Sequence, residues 1–431
     1  MRAAPALACL VLAGLTLLLL RQPSYDPTAW LIWGREISHG TLSMTGGPSW
    51  KPLPVAFTTL FAYAGSAAPA LWLLVARTGG FVALVLAFRV ARRLGGTLSG
   101  WLAAGALVLA TDFLFNALRG DSEGLLVALT FGAIELHLRG HRRWAFAVGL
   151  LAGLLRPEVW LLLAAYAIVL VRRDRRALVL AVAGGAALLA AWFVPDYVST
   201  GDWLRGAGRA RHPVPGSPGQ SSFPFGLTFA YASVAVSWPV FAGAVYAVAR
   251  ARREPRDRVV PAIGAAAAVL TVTVALLAEA GFTGNIRYVT LPAALVCLLG
   301  GLGLPGLVRA LSDRWRRVAA VPAAIAVAVS VGIVAWGGVR LAREERALGS
   351  RLDHVIAAAG GPAAIKRCGQ VSVTKFERQA LAYRLHLPSA DVWTHSVTPG
   401  IAFIRNHNRL PGAAALPVRV QLPSWTLRSA C

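Results

Sequence analysis

Residues Ser24 to Pro54, SYDPTAWLIWGREISHGTLSMTGGPSWKPLP, decide how the rest of the chain is read. They follow the first long apolar run and precede every other one. An acid, Asp26, stands just before an amphipathic run carrying Trp30, Ile32, Trp33 and Ile37, and the stretch closes on the cationic, proline-rich Trp50-Lys51-Pro52-Leu53-Pro54. Tryptophans and charges beside the end of an apolar run belong at the boundary between lipid and water. The stretch reads as an interfacial loop that reaches both phases.

The surrounding composition supports this. The 431 residues are 56% hydrophobic and 14% charged, with mean hydropathy +0.60. That is too apolar for a soluble domain, and the apolar runs approach or exceed the length of a bilayer crossing. The chain is read as an all-α polytopic membrane protein. Its net charge of +24 comes from arginines in short clusters between apolar runs, not on one domain face. Such clusters are topology determinants beside anionic lipid, and no nucleic-acid partner is expected.

The run 3–20 has only Arg2 before it and lacks a small-residue cleavage site, so it is read as a retained span. Basic clusters at Arg89/Arg92/Arg93, Arg139/Arg142/Arg143, Arg172/Arg173/Arg175/Arg176, Arg250/Arg252/Arg253/Arg256/Arg258 and Arg309/Arg314/Arg316/Arg317 mark the cytoplasmic face. Between them lie apolar runs at 4–20, 72–91, 97–113, 122–138, 144–155, 158–171, 177–195, 226–249, 259–280, 288–308 and 318–338. These predict about eleven transmembrane helices, with the N-terminus cytoplasmic and the C-terminus outside. Arg156-Pro157-Glu158 interrupts the run 144–171, which predicts two half-length helices meeting at a break that lines a cavity. A single kinked helix is the other reading.

The chain divides by composition into a transmembrane part, 1–338, with a first external loop at 21–71, and a polar tail, 339–431. In the tail, Arg340 to Gly360 has helical spacing, and Gln370 to Thr374, Asp391 to Thr394, Ile401 to Ile404 and Val418 to Leu422 read as short strands. A small extracytoplasmic α/β domain is expected. Cys368 and Cys431 bracket the strand region and are candidates for a disulfide if it lies outside the cytoplasm; Cys9 and Cys297 fall in predicted spans.

Polar residues recur near the outer ends of the spans: Asp26, Lys51, Arg77, Asp112, Arg119-Gly120-Asp121-Ser122-Glu123, Arg156-Pro157-Glu158 and Asn285-Ile286-Arg287-Tyr288. A charge inside a span costs on the order of 3 kcal/mol, so several together indicate a shared polar cavity. Arginines suit phosphate there, and carboxylates suit a base or a metal.

The order of these features resembles the GT-C superfamily of polyprenyl-phosphate-sugar-dependent glycosyltransferases, which includes the protein mannosyltransferase and lipid A aminoarabinose transferase types. The likeness rests on the first-loop acid, the Lys51-Pro52-Leu53-Pro54 segment, Arg77 opening the next span, the glycine-leucine run ending in Arg156-Pro157, and the late Arg287-Tyr288 before Pro292. It covers residues 1–310 as a pattern, and the tail has no counterpart in it. The resemblance implies a polyprenyl-phosphate-linked sugar donor, a glycan, lipid or protein acceptor on the outer side, and a first-loop carboxylate as general base. Carried onto this chain, Asp26 takes the base position, while Lys51, Arg77, Arg156, Arg287 and Tyr288 take the donor-phosphate positions. Glu36, Asp121, Glu123 and Glu158 remain candidates for an acceptor or metal site. Many relatives have paired acids in the first loop, whereas Asp26 is followed by Pro27.

The chemistry is a displacement at an anomeric carbon in which the acceptor hydroxyl loses a proton and the lipid phosphate leaves with added charge. A carboxylate and several cations meet those needs. A divalent metal is compatible with the residues and not required. His39, His137, His141, His212, His354, His386, His395 and His407 show no zinc-ligand spacing. Asp26 has a second reading, as the cap of a helix over 28–37 with Pro27 at its first position. A lipid or glycolipid transporter and a non-catalytic envelope-assembly protein are the alternatives. The first predicts inverted repeats, and the second would tolerate Asn in place of Asp26.

Overall fold

The computed structural model describes residues 3–110, 112–213, 216–254, 258–406 and 408–431; Arg2, Arg256 and His407 lie outside these ranges. Most of the described chain is helical. Five helical segments are long and apolar enough to cross a membrane: Gly65–Gly95, Ala177–Thr200, Val259–Glu279, Ile286–Ala310 and Asp313–Ala358. The remaining predicted runs form helices of 12 to 16 residues (Ala3–Thr16, Thr97–Leu109, Glu123–Leu138, Arg142–Gly153 and Trp160–Arg173) or a broken pair. Against the roughly 20 residues that span a hydrocarbon core, five crossings are clear, six if the pair is one, and the count of eleven is not confirmed.

The chain divides into two units. The first comprises Met1–Thr16, Leu74–Trp192 and Ala207–Val339. Without a hydrophobic driving force between apolar helices in lipid, close backbone approach through small residues holds such a bundle together. Helices Trp238–Ala251 and Thr290–Ala310 pack where a Cβ on Gly303 would run into the Gly243 carbonyl oxygen. Only glycine fits there. The predicted run 226–249 is two helices, Pro224–Val234 and Trp238–Ala251, bent by 96°. Ser237 is the extended N-cap of the second helix, and Pro239 stands in its first turn, a position that suits a proline opening a helix. At the other break, Arg156 is extended before Pro157, as a pre-proline residue must be, and Trp160 and Trp192 both donate their indole N–H to the Gly153 carbonyl, at 3.1 and 3.0 Å. The helix end at Gly153 is thereby capped by side chains.

The second unit comprises Leu17–Leu73, Phe193–Gly206 and Arg340–Cys431. Its sheet contains β1 (Gln370–Val373), β2 (Val392–Trp393), β3 (Gly400–Arg405), β4 (Val418–Gln421) and β5 (Trp425–Ala430), in the order β2-β1-β3-β5-β4. The β2, β1 and β3 pairings are parallel and those of β3, β5 and β4 antiparallel. The first four strands coincide with the runs read from sequence; β5 was missed. The core under the sheet gathers Val371, Val373, Ile401, Phe403 and Leu427 with Leu352, Val355 and Leu381, and takes in Ile32 from the helix Tyr25–Ser38. Cys368 and Cys431 are joined by a disulfide with Cα atoms 4.7 Å apart, across 63 residues of sequence. By chain entropy that closure stabilises the unit by about 4 kcal/mol.

Candidate functional site

In the first unit, three connecting segments bring charged residues together. Residues 119–123 follow the short helix Phe113–Leu118, residues 156–158 form the helix break, and Ile286–Val289 is a 3-10 turn leading into a long helix. Arg156 forms an ion pair with Glu123, approaches Glu158 at 3.9 Å, and lies with its guanidinium 4.2 Å from the Tyr288 ring centroid. Arg287, whose backbone N–H is received by Asn285 at 3.1 Å, pairs with Asp121 at 3.1 Å. Asp121 is 2% exposed, Glu123 0% and Arg156 6%. Ions taken this far out of water persist only when paired, and here each arginine has a carboxylate. The cluster is self-neutralising.

Arg77 is in the same unit but is engaged differently. Its Nε and Nη2 donate to the Leu118 carbonyl at 3.0 and 2.7 Å and its Nη1 to Thr16 Oγ1 at 3.2 Å. Leu118 ends a helix, so the guanidinium satisfies a carbonyl that has no partner in its own helix.

In the second unit, Asp26 is the second residue of the helix Tyr25–Ser38, and the N-cap is Ser24. The cap reading of Asp26 is therefore corrected: the helix starts three residues before position 28, which places the carboxylate in the first turn, where it complements the helix dipole. Lys51 is buried, extended, at the N-cap of Pro52–Ala62, with Nζ 5.2 Å from the Trp30 ring. Trp30 meets Trp72 edge-on at 5.3 Å, and its carbonyl accepts from Thr58 Oγ1 at 2.6 Å. The loop leading to Lys51 is held by its own backbone carbonyls. Arg205 donates to Pro48 at 2.7 Å, to Gly47 at 3.1 Å and to Met44, while Arg378 and Gln379 donate to Gly46 at 3.2 and 3.4 Å. Trp33 donates to Ser43 at 3.1 Å.

Glu36 lies on the same helix, 4% exposed. One carboxylate oxygen accepts from Ser43 N–H at 2.9 Å, and the other is buried with no hydrogen-bond partner. Burial pushes its carboxyl up to about 7, with Asp391 adding to the rise and the Ser43 N–H and Arg35 opposing it. A carboxyl poised near neutrality can both give and take a proton.

The sequence reading missed Asp196, Arg205 and the Arg378-Gln379 pair. Asp196 is buried, accepts from Gly206 N–H at 2.8 Å and has a second oxygen with no hydrogen-bond partner. It was read as loop because the apolar run was ended at residue 195, whereas the helix continues to Thr200. Its signal was an acid one residue past an apolar run. Among the described residues no three His, Cys, Asp or Glu side chains are grouped so as to hold a metal ion.

No protein-family model matches the sequence, and no curated protein does. Solved structures do. ArnT from Cupriavidus metallidurans bound to undecaprenyl phosphate matches with a TM-score of 0.64 and 15% identity, covering 99% of this chain and 97% of that one. The same protein in the apo state matches with a TM-score of 0.61 at the same identity and coverage. The apo Archaeoglobus fulgidus oligosaccharyltransferase matches with a TM-score of 0.46 and 13% identity, over 90% of this chain and 64% of that one. The chain has the fold of ArnT over nearly its whole length.

Proposed function

We propose that the chain is an integral-membrane glycosyltransferase that moves a sugar from a polyprenyl-phosphate donor to a glycan, lipid or protein acceptor on the extracytoplasmic side, in cell-envelope glycan or glycoconjugate synthesis. The observation that carries this reading is the end-to-end likeness to ArnT, one of whose structures holds undecaprenyl phosphate. In the proposal, Asp26 takes the proton of the acceptor hydroxyl, and Lys51 offsets the charge that grows on the leaving phosphate. Arg156, paired with Glu123, keeps Tyr288 in place, and Arg77 ties down the end of a helix. The eleven apolar runs are full or partial crossings, with the N-terminus inside and the C-terminal sheet outside. The Cys368–Cys431 disulfide supports that placement, because disulfides persist in oxidising compartments.

The test is transfer by membranes containing the full chain, offered a panel of radiolabelled polyprenyl-phosphate sugars. Label should move from at least one donor, and Asp26→Asn should slow that movement by about a hundredfold or more. A folded wild-type protein that uses no donor in the panel would count against the reading.

A further inference from the structure

The second unit contains a cleft that the transferase reading does not use. It has a volume of about 260 Å³ and is lined by Arg343, Glu344 and Arg351 from the helix Asp313–Ala358, by Arg405 at the end of β3, and by Ser424 and Trp425 at the start of β5. Arg343 and Arg351 lie eight residues apart on the helix, about two turns, and both border the cleft. The one acid in the lining is already engaged: Glu344 is held by Arg340 at 2.6 Å. Arg405 is held on one side by Glu377 at 3.2 Å. Among the described residues the guanidinium groups of Arg343 and Arg351 have no ion-pair or hydrogen-bond partner.

Guanidinium groups only donate. An occupant that answers them must therefore present several acceptor oxygens and negative charge. Phosphate does so, and its oxygens match the guanidinium fork.

We infer that this cleft binds a phosphate group, presented either by an anionic phospholipid head or by a soluble phosphate ester. The cleft's first arginine follows the last apolar run by five residues, 338 to 343, which along a helix is about 8 Å, within reach of a lipid head at the end of that run. The volume admits a phosphate with a few attached atoms and excludes a longer glycan. No sugar transfer enters this inference, so it stands or falls apart from the proposed function.

The experiment uses the full chain in detergent, titrated with inorganic phosphate by calorimetry. In parallel, the chain is placed in nanodiscs of phosphatidylcholine with or without phosphatidylglycerol, and retained lipid is counted by native mass spectrometry. The variant is R343Q/R351Q, which changes exposed side chains only. Binding should fall by about tenfold or more in this double variant, in line with losing charge-assisted hydrogen bonds. Phosphate binding without retained phosphatidylglycerol would assign the site to a soluble ester, and retained phosphatidylglycerol that the double variant loses would assign it to lipid. Absence of binding to both probes, or equal binding by the double variant, would overturn the inference.

Discussion

The two charged regions of this protein handle the same difficulty in opposite ways. In the first unit, Asp121, Glu123 and Arg156 are buried and Arg287 is half-buried, and they neutralise one another side chain to side chain. In the second, the arginines at 205 and 378 spend their donors on backbone carbonyls of the loop 44–48. The carboxylate of Glu36, nearby in sequence, keeps one oxygen without a hydrogen-bond partner. Ion pairs in a low-dielectric interior are costly to break and suit positioning. A loop pinned through its backbone leaves side chains able to change protonation, which suits chemistry.

This contrast is open to test, beginning with the largest expected effect. Arg156→Ala takes from the buried Glu123 the guanidinium it pairs with, so it should destabilise the folded protein by about 3 to 5 kcal/mol, read as a lowered melting temperature in detergent. The double variant R156M/E123L should recover most of that loss. If Arg156→Ala melted like wild type, the first region would not be the interlocked cluster described here.

Asp26→Asn should fold and melt normally while slowing transfer by about a hundredfold or more, equal to about 2.7 kcal/mol in the barrier. Near-normal turnover in a well-folded Asp26→Asn protein would move the base to Glu36 or Asp196. Lys51→Ala should raise the donor concentration needed for half-maximal transfer by about tenfold, because one charge-assisted contact to phosphate is lost. A change in stability with unchanged donor dependence would instead place Lys51 with Arg156 as a structural cation.

The smallest effect concerns Glu36, whose carboxyl titrates near 7 in the folded protein because of burial and in the ordinary carboxylate range when unfolded. Between those values the folded state holds the proton and the unfolded state has released it, so stability falls as pH rises through this window and levels off above about 7. Glu36→Gln keeps an acceptor for Ser43 N–H and removes the titration. Melting temperature followed from pH 4.5 to 8 should therefore decline less steeply in the variant. Parallel curves would show that Glu36 is ionised throughout.

Much of the architecture could be read from local pattern. Each predicted apolar run contains a helix, since a helix satisfies its own backbone hydrogen bonds and needs only an apolar exterior in lipid. The break at Arg156-Pro157 was legible because proline's effects reach only one or two residues. The bend at residues 235–237 was not, although Pro239 stands beside it, because a proline near the start of a helix and one that kinks a helix look alike in sequence. Strand β5 was passed over since WTLRSA follows Pro423-Ser424 in an unpatterned tail, and it gains its definition by pairing with β3 and β4.

By itself, then, the sequence determined the helical membrane class, the helix break at Arg156-Pro157 and the types of residue available for chemistry. Composition and periodicity are local properties and survive without knowledge of neighbours. Only the tertiary structure decided that residues 17–73 pack with 340–431 in one unit, with Ile32 entering the core of the sheet. It also decided that Arg156 answers Glu123 while Arg77 answers a helix end. These outcomes depend on which groups lose water together, and a guanidinium in a string of letters carries no record of whether its partner is a carboxylate 33 residues away or a carbonyl 41 residues away.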